Sequence, residues 1–332
     1  MKKDNIILYF NEEAHAYTDN RGYKYTSMTQ AISKYEVLFE EKQREIAQAC
    51  SRSRNSQYFG MAVPHILKLW KEENRRSLVK GNRIHNYLEA AVKKASGYKL
   101  IDNHYINDKI YTVNNFAEVL SRNSMIGELD LDFFIEHGIT DKYPRIYKLI
   151  KTYVSLGYRI FSEIGIFDAD RLISGLIDIL FINFDTKEFV ILDWKTNKHA
   201  LIPFNDDRYK WISGYFKKDK YGKVTNKFIK TNTYFKHPLN RYQQSHYMIY
   251  ALQLSGYAAL VERLGYTNKG IVLAHIREEL KYDENSIEVT RIPSLVGKVV
   301  TDLHQMVYLK DDINSVFDHH FENFTTTQAT IM

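Results

Sequence analysis

The chain has 332 residues, of which 44% are hydrophobic and 26% charged, a mixture that excludes a disordered or fibrous protein and suffices for one large domain or two modest ones. Its single cysteine, Cys50, excludes an intramolecular disulfide and any zinc or iron-sulfur site built from several thiolates of one chain, and fits a reducing cytoplasm. The N-terminus lacks the long apolar core of a signal peptide, and no run of about 18 apolar residues could span a bilayer, so neither export nor a membrane partner is expected.

The formal charge of +6 is unevenly spread. Residues 208 to 241 hold ten Lys and Arg against one acid, Asp219, so this stretch carries +9 and the rest of the chain is net −3.

In chain order, Ile6 to Phe10 and Tyr23 to Tyr25 flank a turn at Asp19 to Gly22 and predict a small hairpin. Thr26 or Ser27 can cap a helix starting at Met28, and helical patterning continues to about residue 97. Pro64 suits a first helical turn, and Gly81 marks a break. Residues 98 to 150 read as loops around helices at 113 to 121 and from 144. From 158 the pattern changes to short runs rich in β-branched and aromatic residues: Tyr158 to Asp168, Leu172 to Phe184 and Glu188 to Lys195 are three consecutive strands. After the basic stretch come a helix over 240 to 263, a strand at Gly270 to Ile276, a further strand at Ser286 to Ile292, a helix over 294 to 308 and a loose tail of eight residues.

The chemistry sits in Gly175-Leu-Ile-Asp178 followed by Ile191-Leu-Asp193-Trp-Lys195. If Asp185-Thr186 is a two-residue turn, paired positions sum to 371 and Asp178 lies opposite Asp193. Side chains alternate along a strand, so Lys195 shares that face while Trp194 points away. The flanking positions are apolar on both faces, as in strands covered on both sides, where charges are costly unless compensated. Two carboxylates with a nearby main-chain carbonyl, that of Trp194, are hard oxygen donors suited to Mg²⁺, with Mn²⁺ able to substitute, and a neighbouring lysine suits phosphodiester hydrolysis. A surface hairpin with Lys195 paired to one acid is the bland alternative.

These residues, in this order, resemble the RecB-like branch of the PD-(D/E)XK nuclease superfamily, the branch of phage-encoded exonucleases and the mitochondrial genome maintenance exonuclease. Upstream, Gly81-Asn-Arg-Ile-His85 is similar to that branch's glycine-to-histidine helix motif, which implies that His85 approaches the metal; a buried core histidine is the ordinary alternative. His15-Ala-Tyr17, Gly22 and Ser27-Met-Thr29 resemble the N-terminal segment of the phage members. Gln243 and Tyr247 match the family's Gln-x-x-x-Tyr helix motif beside DNA and the active site, while His246 and Tyr250 keep the same interval with histidine replacing glutamine. Glu163 stands where many relatives carry a further acid. Relatives with an iron-sulfur cluster use four cysteines, a variant that one cysteine excludes.

The resemblance implies an α/β fold with a restriction-endonuclease-like core, a central mixed β-sheet flanked by helices, and a largely helical N-terminal part. Residues 1 to 157 would be an N-terminal hairpin and helical region packing on a nuclease core at 158 to 332, interrupted by a basic aromatic insertion at 200 to 241. In that insertion Lys210, Trp211, Lys217, Lys218, Lys220, Lys223 and Arg241 are candidate DNA contacts, because cations neutralise phosphates while interleaved aromatics stack on unpaired bases. The implied activity is metal-dependent exonucleolytic cutting of DNA ends, suited to a single strand, in phage or bacterial DNA processing. A structure-specific or restriction-like endonuclease, or a non-catalytic DNA-binding subunit of the same fold, stays open. No motif specifies a helicase or recombination partner.

Overall fold

Three short strands, β1 (Leu8–Asn11), β2 (Ala16–Asp19) and β3 (Lys24–Ser27), run antiparallel to their sequence neighbours. The β2–β3 turn is tied by Asp19, whose carboxylate accepts from the amides of Arg21 and Tyr23 and from the Tyr25 hydroxyl. These and the elements below belong to a computed structural model that describes residues 6, 8–11, 14, 16–95, 100–101, 104–105, 128–129, 131–136, 138–197, 200–219, 224–281 and 294–329. Ser27 caps helix α1 (Met28–Ser33) through a reciprocal pair, Gln30 amide to Ser27 hydroxyl and Ser27 amide to Gln30 side chain.

Helices α2 (Phe39–Arg52) and α3 (Val63–Ala95) follow, with Pro64 in the first turn of α3 as its fixed φ favours. The expected break at Gly81 is absent: α3 runs through it. A Cβ there would stand 3.2 Å from the Thr196 hydroxyl, so the glycine serves a close approach between α3 and the end of a strand. Then come β4 (Leu100–Ile101), β5 (His104–Tyr105), β6 (Glu128–Leu129), α4 (Leu131–Glu136), α5 (Ile139–Lys142) and α6 (Pro144–Ser155). The helix expected over 113 to 121 lies outside the described residues, as do His15 and the strand expected at Ser286 to Ile292.

Strands β7 (Arg159–Asp168), β8 (Ile173–Asn183) and β9 (Glu188–Lys195) form an antiparallel meander at the expected places. The insertion folds into a hairpin of β10 (Gly214–Lys218) and β11 (Val224–Lys230). Helix α7 (His246–Glu262) starts later than the expected residue 240, because Ser245 accepts from the Met248 amide and so sets the first turn. It leads into β12 (Thr267–Lys281), which pairs parallel with β9 and antiparallel with β13 (Ser294–Gln305); α8 (Lys310–Ala329) ends the chain.

Two expectations are corrected here. The segment 294 to 308, expected as a helix, is largely strand: Val296, Val299, Val300 and Thr301 are β-branched, and nine register pairs with β12 decide the conformation. The tail expected from 325 is helical through Ala329, as the last part of α8.

The main sheet is mixed. β8 pairs β7 along one edge; along the other, β3 joins parallel beside Ile173 and Ser174, and β9 joins antiparallel beside Ile179 to Asn183. The order then continues through β12 to β13. One face buries Leu180, Ile182, Phe189 and Ile191 under α1, α7 and α8; the other buries Ile179, Phe181, Val190 and Leu192 under the α4–α6 helices. The architecture is thus α/β, a central mixed sheet flanked by helices. Helix α7 is buried around most of its circumference, as a helix sandwiched between sheet and helix must be. Among the described residues no helix is long and apolar enough to cross a membrane.

Gly175 lets α7 sit close on β8: a Cβ there would lie 2.4 Å from the Tyr257 ring, which has no room to retreat at 5% exposure. Gly175→Ala should therefore cost about 1–3 kcal/mol in chemical denaturation, by forcing ring or backbone to shift; an unchanged midpoint would contradict this packing.

Candidate active site

The β8–β9 register obeys the sum of 371 at all five pairs from Ile179–Leu192 to Asn183–Glu188. The loop is Phe184 to Lys187, two residues longer than expected but centred on the same point, so the register is unchanged. The Asn183 side chain accepts from the Asp185 and Thr186 amides, and Lys187 takes a positive φ of 53° to close the loop.

The next position in that register puts Asp178 opposite Asp193, 6% and 2% exposed. The Trp194 amide donates to Asp178 Oδ2 at 3.0 Å, crossing between the strands at the point where the paired ladder ends. Lys195 Nζ reaches Asp193 Oδ2 at 2.5 Å, and that oxygen otherwise accepts no hydrogen bond. The Trp194 ring packs on the opposite face among Ile179, Phe181 and Leu192. Burial alone would lower the Lys195 pKa, but the carboxylates of Asp193 and Asp178 outweigh it and hold it above the ordinary lysine range.

Helix α7 closes the charged face. Tyr250, Gln253 and Tyr257, spaced i, i+3 and i+7, lie along one side of it. The Tyr250 ring centroid is 5.5 Å from Lys195 Nζ, and its hydroxyl donates to the Asn197 side chain at 2.7 Å. Gln253 donates to the Tyr257 hydroxyl at 2.9 Å. Burial, then the nearby Asp193 charge, pushes the Tyr257 pKa up to about 12, so this phenol stays protonated beside the carboxylates. On β12, His275 pairs in register with Lys195 and donates from Nε2 to the Asn197 carbonyl at 2.8 Å.

The other expected residues divide. Glu163 occupies the β7 position between Ser162 and Ile164, whose partners Ile179 and Ile177 flank Asp178, so its backbone faces the site. His85 lies one helical turn beyond Gly81, on the helix that meets Thr196. The side chains of both lie outside the described residues. Gln243 and Tyr247 are occupied elsewhere. The Gln243 side chain accepts from the Ser213 amide and hydroxyl, fastening the insertion, and the Tyr247 hydroxyl lies between the Gln305 carbonyl and the Val307 amide. The alternative register, with Tyr250, is the one that reaches Lys195. Sequence reasoning missed Gln253 and Tyr257, although they too are a Gln-x-x-x-Tyr pair; Asn197 and His275 carried no sequence signal.

In the insertion, Lys210 lies over the rings of Trp211 and Tyr247 and pairs with Asp207 at 3.6 Å. Arg241 is ion-paired to Asp312. Lys217 and Lys218 are half-buried on β10, and Lys220 and Lys223 lie outside the described residues.

Among the described residues no three His, Cys, Asp or Glu side chains cluster to hold a metal ion. The expected donors are the Asp178 and Asp193 carboxylates and the Trp194 carbonyl; the two carboxylates, buried on adjacent strands beside the half-buried Lys195, are hard oxygen donors that suit a divalent cation.

Burial pushes the His275 pKa down from 6.5 to about 4. Between those values the unfolded chain binds the proton that the folded one refuses. The stability is therefore full above pH 6.5 and is lost as pH falls toward 4, up to about 3 kcal/mol. Denaturation midpoints of His275→Gln should fall less steeply than wild type over that window; parallel acid limbs would contradict the assignment. Comparison with family models, curated proteins and solved structures finds no match for this chain.

Proposed function

We propose that this chain is a magnesium-dependent DNA exonuclease with a restriction-endonuclease-like core of the PD-(D/E)XK kind. The observation that carries the reading is the burial of Asp178 and Asp193 beside Lys195 on one face of an otherwise apolar hairpin. Structural ion pairs gain little over apolar side chains, so two buried carboxylates beside a half-buried lysine in an apolar setting favour chemistry.

Asp178, Asp193 and the Trp194 carbonyl would hold Mg²⁺, with Glu163 and His85 as further candidates. When bound, the metal polarises the scissile phosphate and lowers the pKa of a coordinated water. The chain's own contributions are positional and electrostatic. The Trp194 amide fixes one oxygen of Asp178, and Lys195, kept protonated by both carboxylates, offers N–H donors to the attacking water or the developing phosphate charge. Tyr250 and Asn197 confine the lysine, the first by its ring and the second by anchoring Tyr250. The basic hairpin β10–β11, tied to the start of α7 by Gln243 and by Ser245 donating to the Lys210 carbonyl at 2.6 Å, supports a path for a DNA end.

End-labelled linear DNA should be degraded with Mg²⁺ and not with EDTA, closed circles should survive, and Asp193→Asn should lose activity on the order of 10³-fold. Cutting of circles would indicate an endonuclease, and retained DNA binding without any cutting a non-catalytic subunit. Replacing Lys217, Lys218, Lys227 and Lys230 by Gln should weaken binding to single strands. It should also flatten the logarithmic salt dependence by up to about 0.7 per lysine; unchanged affinity at low and high salt would remove the hairpin from the DNA path.

A further inference from the structure

Two aromatic clusters from distant parts of the chain both contribute to the lining of one cavity. In one, the Trp70 ring of α3 packs against Phe39 and Tyr58, with centroids 5.4 and 5.8 Å apart. In the other, Phe216 and Phe228 of the β10–β11 hairpin pack edge to face at 5.4 Å, backed by Phe204 and Tyr209. Tyr58, Trp70, Phe216 and Phe228 all line the cavity, which measures about 690 Å³.

The volume of this half-open cleft falls within the range of about 300–1,000 Å³ typical of ligand sites. The lining chemistry narrows the ligand. Lys217 and Lys218 contribute to the wall, and among the described residues no aspartate or glutamate does, which favours an anion. Aromatic rings from both clusters suit a flat ring, and the amides of Asn55 and Gln57 offer both donors and acceptors to its edge. A flat, hydrogen-bonding ring joined to negative charge is a nucleobase with its phosphate.

The cavity is also continuous with the charged site along the chain. Ala200 and Leu201 in its wall follow the Lys195–Asn197 segment, and His246 in its wall opens the helix that carries Tyr250 and Tyr257. We infer that the cavity is a nucleobase pocket that accepts an unpaired base of the strand being cut. The inference deepens the nuclease reading and rests on it: a base must leave its partner to enter, so the preferred substrate is single-stranded or frayed DNA.

Cys50 lines the same cavity and is the only cysteine of the chain, which makes it a reporter within the pocket. The test uses Asp193→Asn in EDTA, so that no strand is consumed. It measures oligonucleotide binding by fluorescence anisotropy and Cys50 alkylation by a maleimide. A short single strand should bind at least about tenfold tighter than an abasic strand of equal length, in line with base stacking on aromatics. It should slow alkylation, whereas abasic strand and blunt duplex should not. A strand that binds yet leaves Cys50 equally reactive overturns the pocket, as does equal protection by abasic DNA, or no binding at all. The nuclease reading fails separately: wild type that cuts without Cys50 protection keeps the nuclease and loses the pocket, and protection without Mg²⁺-dependent cutting does the reverse.

Discussion

Two carboxylates are buried beside a half-buried ammonium at the end of an apolar hairpin, and the rest of the structure is arranged around tolerating them. Stripping a charge of water costs several kcal/mol, which the surroundings must offset with opposite charge, hydrogen bonds or a bound cation. The fold supplies part of this: the Lys195 ammonium against Asp193, the Trp194 amide against Asp178, and the Tyr250 ring over the lysine.

The same elements serve two regions. Helix α7 presents Tyr250, Gln253 and Tyr257 to the charges, while the residues that start it fasten the basic hairpin: Gln243 to Ser213, and Ser245 to Lys210. Helix α3 is likewise shared, contributing Trp70 to the aromatic cavity and passing Thr196 at Gly81. A strand bound along the hairpin would therefore meet groups positioned by the same two helices that frame the carboxylates. The arrangement gives mechanical unity to what the sequence distributes from Trp70 to Tyr257.

Much of the hairpin was legible because strand alternation is local. With two strand-forming runs on either side of a polar turn, centring that turn at Asp185-Thr186 gives the register through Ile179 and Leu192, and a loop lengthened symmetrically about its centre leaves it intact. The strand at 294–305 was misread because Leu295, Val299 and Leu303 recur at helical spacing, and only pairing with β12, a partner distant in sequence, reveals the strand. The Gln-x-x-x-Tyr assignment was ambiguous for a related reason. Three pairs at that interval, 243/247, 246/250 and 253/257, crowd one segment, and which of them faces Lys195 depends on how α7 is rotated about its axis. That rotation is set by Gly175 beneath Tyr257 and by the Ser245 cap, both of which act through the folded state. His275 acts through the Asn197 backbone carbonyl, and Asn197 through a side-chain contact to Tyr250 on a distant helix, contacts that no local residue pattern encodes.

The central claim is that the buried trio is built to receive one divalent cation. Its most direct test is Mn²⁺ binding followed by electron paramagnetic resonance, in the absence of DNA, for wild type and for Asp178→Asn and Asp193→Asn, with circular dichroism confirming that each variant is folded. The account predicts one bound Mn²⁺ per chain, displaced by Mg²⁺ and lost in both variants. A folded wild type that binds no Mn²⁺, or variants that bind it as tightly, would contradict the account.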